Sequence, residues 1–220
     1  MRKKYVMIAI ICSGLFLFLT PFPDQASLTS VFRVTEEPAV ITRGINGSAL
    51  TVNLSFGDLE VEQWIRELNT PYPFLFVDTG WANRFPETIK LINEKNIPVG
   101  LLGHAGNAYD QNTALFTGQL EQFQALFGTK PLWFRTADEV FPHSLQLMLW
   151  EAEVNALGSS FSWHGANPPP VKPGEIISVP HNREQRTDLT ALHKLYDTRT
   201  FQPLEDVLFN PTIKTKKTPK

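Results

Sequence analysis

The chain has 220 residues, of which 42% are hydrophobic and 19% charged, with a formal net charge of −2. That balance offers no basic face for nucleic acid. The only cysteine is Cys12, which excludes a disulfide framework, a cysteine-built zinc site and a thiol nucleophile in the rest of the chain.

Residues 1–23 set the cellular context. Arg2-Lys3-Lys4 precedes an uncharged run that reaches Thr20, the basic and apolar regions of an export signal. No clean small-x-small cleavage site follows, so the segment reads either as a cleaved signal peptide or as an N-terminal membrane anchor. In both cases the rest of the chain lies outside the cytoplasm, and the membrane is a partner through this segment. A buried helix of a cytosolic domain is the weaker account, because an apolar run without a polar face needs cover on every side. Residues 24–42 read as a linker with a short first strand near Ala39-Val40-Ile41. Residues 210–220 form a basic, solvated tail carrying Lys214, Lys216, Lys217 and Lys220 and no acid.

Between them, residues 43–209 carry one domain of alternating strands and helices. Residues 48–54 form the first core strand, and a helix over 60–68 puts Val61, Trp64, Ile65 and Leu68 on one face. The apolar run 74–77 is a buried parallel strand. Pro86 and Glu87 then open a helix that closes at Asn96, before Pro98. A strand over 99–102 runs out into Gly103-His104-Ala105-Gly106-Asn107, a polar loop at a strand's carboxyl end, where ligands bind in parallel α/β proteins. The periodicity goes on to predict a helix over 115–127, a strand over 131–135, a helix over 144–156 and a strand over 159–164. The prolines 168–170 interrupt regular structure, a strand over 176–179 follows, and the last helix is expected over 189–195.

The order of these segments resembles the polysaccharide deacetylases of the NodB-homology type, most of all the sporulation-associated subgroup of Bacillus relatives. Phe74 to Glu94 follows the family's order of apolar strand, Gly-x-W-A and Pro-Glu. The family strand A-L-T-F-D-x-x-W-G-[DE] is matched by Ala49-Leu50-Thr51-Val52-Asn53-Leu54-Ser55-Phe56-Gly57-Asp58. Pro131-Leu132-Trp133-Phe134-Arg135 resembles K-P-x-x-F-R-x-P, and Pro173-Gly174-Glu175-Ile176-Ile177 resembles P-G-x-I-I-L-L-H. The resemblance covers residues 41–208 in order, and it implies an α/β fold, a small distorted (β/α) barrel of the polysaccharide deacetylase type with its groove at the carboxyl ends of the strands.

The same alignment implies an altered site. The family's general base falls at Asn53, whose amide accepts no proton at working pH. The metal-ligand positions fall at Leu54, Leu102 and Gly106, with His104 between the last two, and the general-acid position falls at Pro180 with His181 one residue later. A one-residue offset in a strand turns a side chain to the opposite face. Arg135, which orients the base in the family, is retained, and Asp138, Glu139 or Asp58 are the candidates to neutralise it. Trp163 matches a tryptophan of the family's groove, so Trp163, His104 and Arg135 are the candidate groove residues. No metal is expected, since a catalytic zinc needs three protein ligands. Zinc or another divalent ion enters only if a site is rebuilt from Asp58, His104, Asp138 or His181.

Three functions stay open: an exported deacetylase-like pseudoenzyme acting on cell-wall glycan or in sporulation; an active carbohydrate N-deacetylase, on peptidoglycan or a chitin-like substrate, with a rebuilt site; and a structural domain without a sugar site, which an aliphatic groove would favour.

Overall fold

The computed structural model describes residues 33–209 apart from Gln111. The expected signal or anchor and the basic tail lie outside the described residues. No helix among the described residues is long and apolar enough to cross a membrane.

The described residues from Thr35 onward form one compact unit. In chain order its elements are β1 (Val40–Ile41), β2 (Ser48–Leu54), α1 (Leu59–Glu67), β3 (Phe74–Asp78), α2 (Thr79–Arg84), α3 (Pro86–Glu94), β4 (Val99–Gly103), α4 (Thr113–Phe127), β5 (Trp133–Thr136), α5 (His143–Glu151), β6 (Asn155–Leu157), β7 (Phe161–Ser162), β8 (Glu175–His181), α6 (His193–Tyr196) and α7 (Leu204–Phe209). The eight strands form one sheet in the order β1-β6-β5-β4-β3-β2-β8-β7, and every pairing is parallel.

The sheet curls until its ends approach. After β6, the Gly158 N–H donates to Ile41 O beside one edge, while the Ser160 N–H donates to Ile176 O near the other. The Gly44 N–H reaches Gly174 O at 2.7 Å just beyond β1 and β8. The result is the expected small, distorted barrel.

Strand alternation divides the side chains between two layers. Leu50, Val52 and Leu54 of β2, Leu75 and Val77 of β3 and Ile177 and Val179 of β8 pack outward against Val61 and Ile65 of α1 and Ile89 and Ile92 of α3. A second outer cluster joins Leu101 and Phe134 to Phe116 and Phe123 of α4 and Leu145 and Leu149 of α5. Inward, Ala49, Phe74, Phe76, Trp133 and Ile176 meet Leu204, Val207 and Leu208. Helix α7 therefore plugs the barrel at the amino ends of the strands and leaves the carboxyl ends for a groove.

At the plugged end, Glu175 and Arg199 form a fully buried ion pair of 2.6 Å. Ser48 Oγ also donates to Glu175 Oε1 (2.8 Å), and Arg199 Nη2 donates to Pro169 O (2.6 Å). Two expected elements differ. The helix over 144–156 ends at Glu151, because Glu153 takes a left-handed φ of 57° and Asn155–Leu157 then pairs as β6. The expected last helix starts as a 3-10 turn, Leu189–Leu192, before α6.

Candidate functional site

An open groove of about 560 Å³ lies at the carboxyl ends of β2, β5, β6, β7 and β8. Asn53 and Ser178 form its floor beside Pro180. Its rim carries Asp138 and Glu139 after β5, Ser159 after β6, Ser162 and His164 at β7, and Asn182, Glu184 and Gln185 after β8. Most of the lining residues thus bring hydroxyl, amide or carboxylate groups to the groove.

Arg135 holds the floor from below. It is wholly buried and lies 4.3 Å above the Phe76 ring, a cation–π arrangement. Its Nε donates to Leu157 O (3.0 Å) and its Nη2 to Gly158 O (2.8 Å). Nη1 donates to Thr51 Oγ1 (2.6 Å) and to Asn53 Oδ1 (3.1 Å). The expectation that a buried arginine needs a partner is met by neutral oxygens in the first instance. Burial pulls its pKa down to about 10, and the field of Glu139 opposes that shift, so the guanidinium keeps its charge at neutral pH. Glu139 sits above, at a left-handed φ of 55°, and its Oε2 accepts from Ser159 Oγ at 2.7 Å.

The guanidinium fixes the direction of the Asn53 amide. With Oδ1 turned to Arg135, Nδ2 faces the groove floor and donates to Ser178 Oγ at 3.2 Å. The position that the resemblance equates with the family's base therefore carries a donor, held in that orientation by a cation.

The positions equated with metal ligands carry no ligating side chain. Leu54 points outward into the helix-covered core, wholly buried, and Leu102 packs inward with Phe76 and Leu157. Gly106 has room for no side chain: a Cβ there would lie 2.1 Å from Val140 O. Its N–H donates to Asp138 Oδ1 (2.9 Å), which also accepts from the Val140 N–H (3.2 Å). Asp138 therefore ties the loop after β4 to the loop after β5 while lining the groove.

The remaining candidates are spread over different places. Asp58 is exposed and caps α1 through the Leu59 N–H. His104 is exposed in the loop after β4; its N–H donates to the Tyr109 hydroxyl (2.8 Å) and its carbonyl accepts from the Ala137 N–H (3.2 Å). That hydroxyl donates in turn to Gln119 Oε1 at 2.6 Å, and burial pushes its pKa up to about 12. The β2–β8 register pairs Asn53 with Pro180 and Leu54 with His181, so Pro180 faces the groove and His181 faces out. Trp163 is 3% exposed, packs in the outer core with Leu192 and Leu195, and donates its indole N–H to Ala166 O at 2.8 Å; it lies outside the groove lining. Among the described residues no three His, Cys, Asp or Glu side chains are grouped as a metal site requires, so the donor set does not fit the family's metal. Ser159, Ser162, His164, Ser178, Asn182, Glu184 and Gln185 were not singled out from sequence. Only their positions just past predicted strand ends could have drawn attention to them.

No family model matches the sequence, and no curated protein matches it. Solved structures do match in fold. A family 4 carbohydrate esterase pseudoenzyme from Bacillus anthracis is 16% identical over 73% of this chain and 65% of its own length, with a TM-score of 0.58. A mutant of that pseudoenzyme has restored enzymatic activity. The chitin deacetylase of the fungal pathogen Colletotrichum lindemuthianum is 16% identical over 80% of this chain and 93% of its own, at 0.62, and a family 4 carbohydrate esterase from Bacillus anthracis is 13% identical over 86% and 93%, at 0.60. This chain thus spans less than two thirds of the pseudoenzyme but nearly all of the other two. With parallel strand order, groove position and these likenesses in agreement, the chain has the fold of the family 4 carbohydrate esterases, the polysaccharide deacetylases.

Proposed function

We propose that this chain is an exported, deacetylase-like protein that binds glycan of the cell wall without hydrolysing it, and that it serves as a recognition or assembly factor, sporulation included. The observation that carries the reading is the Asn53 amide, locked by Arg135 with its N–H toward the groove floor. Water activation needs a proton acceptor at that place. The lack of donors at Leu54, Leu102 and Gly106 supports binding without a metal. The serines, Asn182 and Gln185 along the groove supply the hydroxyl and amide partners that a sugar's hydroxyls require. Export rests on Arg2-Lys3-Lys4 and the apolar run after it.

The test uses the full chain in mild detergent. It is incubated with zinc or cobalt, freed of excess and assayed for metal, then titrated with a β-1,4-linked N-acetylglucosamine tetramer while acetate release is followed. Binding with no retained metal and no acetate is the expected result. About one tightly held ion per chain, lost on replacing Asp58 or His104, would overturn it and favour a rebuilt hydrolytic site.

A further inference from the structure

The floor of the groove is made of two side chains that are almost wholly buried: Asn53 is 3% exposed and Ser178 1%, and both line the groove. Strand alternation sets them there. Val52 and Leu54 of β2 and Ile177 and Val179 of β8 turn outward to the helices, so Asn53, Ser178 and Pro180 share the inner face. Asn53 stands beside Pro180 in the β2–β8 register.

Their hydrogen bonds do not use up their protons. Asn53 Oδ1 is taken by Arg135, and one of the two protons on Nδ2 goes to Ser178 Oγ, which leaves the other over. Ser178 Oγ accepts that bond, and among the described residues its own proton meets no acceptor. Thr51, the neighbour of Ser178 in the register, is closed by contrast: its hydroxyl donates to Ile177 O (2.8 Å) and accepts from Arg135. Two spare donors therefore stand at the bottom of the groove, and buried donors are rarely left unmatched. The guanidinium behind the amide polarises it and strengthens Nδ2 as a donor. Charge narrows what can match this pair. A cation would meet donors and the Arg135 charge at the floor, and an anion would have to pass Asp138, Glu139 and Glu184 on the rim. An uncharged acceptor oxygen meets neither obstacle.

We propose that Asn53 and Ser178 set the specificity of this groove by donating together to the carbonyl oxygen of an acetamido group on the glycan. The specificity presupposes that the groove binds glycan, and names the part of the sugar that is read. An amide carbonyl presents two lone pairs, one for each donor. Its N–H suits the carboxylates of the rim, which is more than an ester offers, and Pro180 gives the floor an apolar wall for the methyl group. Removal of the acetyl group replaces the carbonyl by an amine, which in its protonated form only donates. The chain therefore binds glycan ahead of N-deacylation and releases the product of that reaction.

The experiment titrates the full chain, in mild detergent, with three β-1,4-linked tetramers that differ at one position of the ring: N-acetylglucosamine, glucosamine and glucose. The N-acetylated tetramer is expected to bind at least about ten-fold more tightly than the other two. Ser178→Ala removes one donor and is expected to weaken that binding about five-fold, with the melting temperature and the binding of the glucose tetramer unchanged, a split that a merely structural role would not produce. Asn53→Asp puts an acceptor on the floor and is expected to erase the preference for the N-acetylated tetramer. The specificity is overturned if the glucosamine or glucose tetramer binds as tightly as the N-acetylated one, if Ser178→Ala weakens all three alike, or if Asn53→Asp keeps the preference; glycan binding by the groove survives each of these results. Binding of none of the three would overturn glycan binding and the specificity with it. Should Asn53→Asp fail to fold, Ser178→Ala and the ranking of the tetramers decide alone.

Discussion

Replacing Arg135 by methionine tests the account of the groove floor most directly. The side chain makes four hydrogen bonds to neutral oxygens, two of them to main-chain carbonyls just past β6 and two to Thr51 and Asn53. Bonds to a charged group contribute about 1.5–3 kcal/mol each, so removing the fork forgoes roughly 6–12 kcal/mol. Against this, methionine relieves the burial of a cation. The lowering of the Arg135 pKa to about 10 corresponds to a penalty on the order of 3 kcal/mol. The difference leaves Arg135→Met destabilised by about 3–9 kcal/mol, a large part of the stability of an ordinary domain. At this size that is a fall in melting temperature of about 10 °C or more. The assay is thermal and urea unfolding of the full chain followed by circular dichroism, with Arg135→Lys beside it. Lysine keeps the charge but not the planar fork, and it is expected to lose most of the same stability. A methionine variant as stable as the parent, or more so, would refute the reasoning, because the network would then not repay the buried charge.

Other outcomes follow from the same geometry. Gly106→Ala forces a Cβ to 2.1 Å from Val140 O, so the loops after β4 and β5 must part; a loss of about 1–3 kcal/mol, with faster amide exchange at Gly106 and Val140, is expected, and an unchanged melting curve would count against the close approach. Arg199→Ala strips the ionic partner from the buried Glu175, and removal of one member of such a pair costs about 3–5 kcal/mol, measurable by urea titration; a neutral result would mean that Glu175 is satisfied by Ser48 and the Lys172 N–H. Burial holds the pKa of His181 below its ordinary value of 6.5. The unfolded chain therefore takes up a proton before the folded one, so the stability due to His181 is full above about pH 6.5 and is lost as pH falls toward the folded-state pKa. His181→Gln is expected to flatten that acid-side slope in melts from pH 7.5 to 5, and an unaltered slope would show that another group carries it.

Much of the fold was legible in the sequence because its signals are local. Residues 48–54, 74–77 and 176–179 declare themselves as strands by their own composition, and the spacing of Val61, Trp64 and Ile65 declares the covered face of α1. Helix α2 escaped notice because it is six residues long and is started by the Asp78 side chain accepting from the Trp81 N–H, a signal hidden at the end of a strand. Strand β6 was absorbed into a helix because nothing local foretells that Asn155–Leu157 will pair between β5 and β1.

The sequence alone determined that Asn53 and Leu54 stand in a core strand with no carboxylate, and that a histidine one residue late in β8 would face away from Pro180, since period-2 alternation is a property of the strand itself. Only the tertiary structure decided what these residues meet. Arg135 reaches Thr51 and Asn53 from more than eighty residues away, and Gly106 is denied a side chain by a carbonyl of a different loop. Trp163 belongs to the outer core. Such contacts are set by the register of a parallel sheet, which brings distant strands side by side through long crossovers, and no local period in the chain records them.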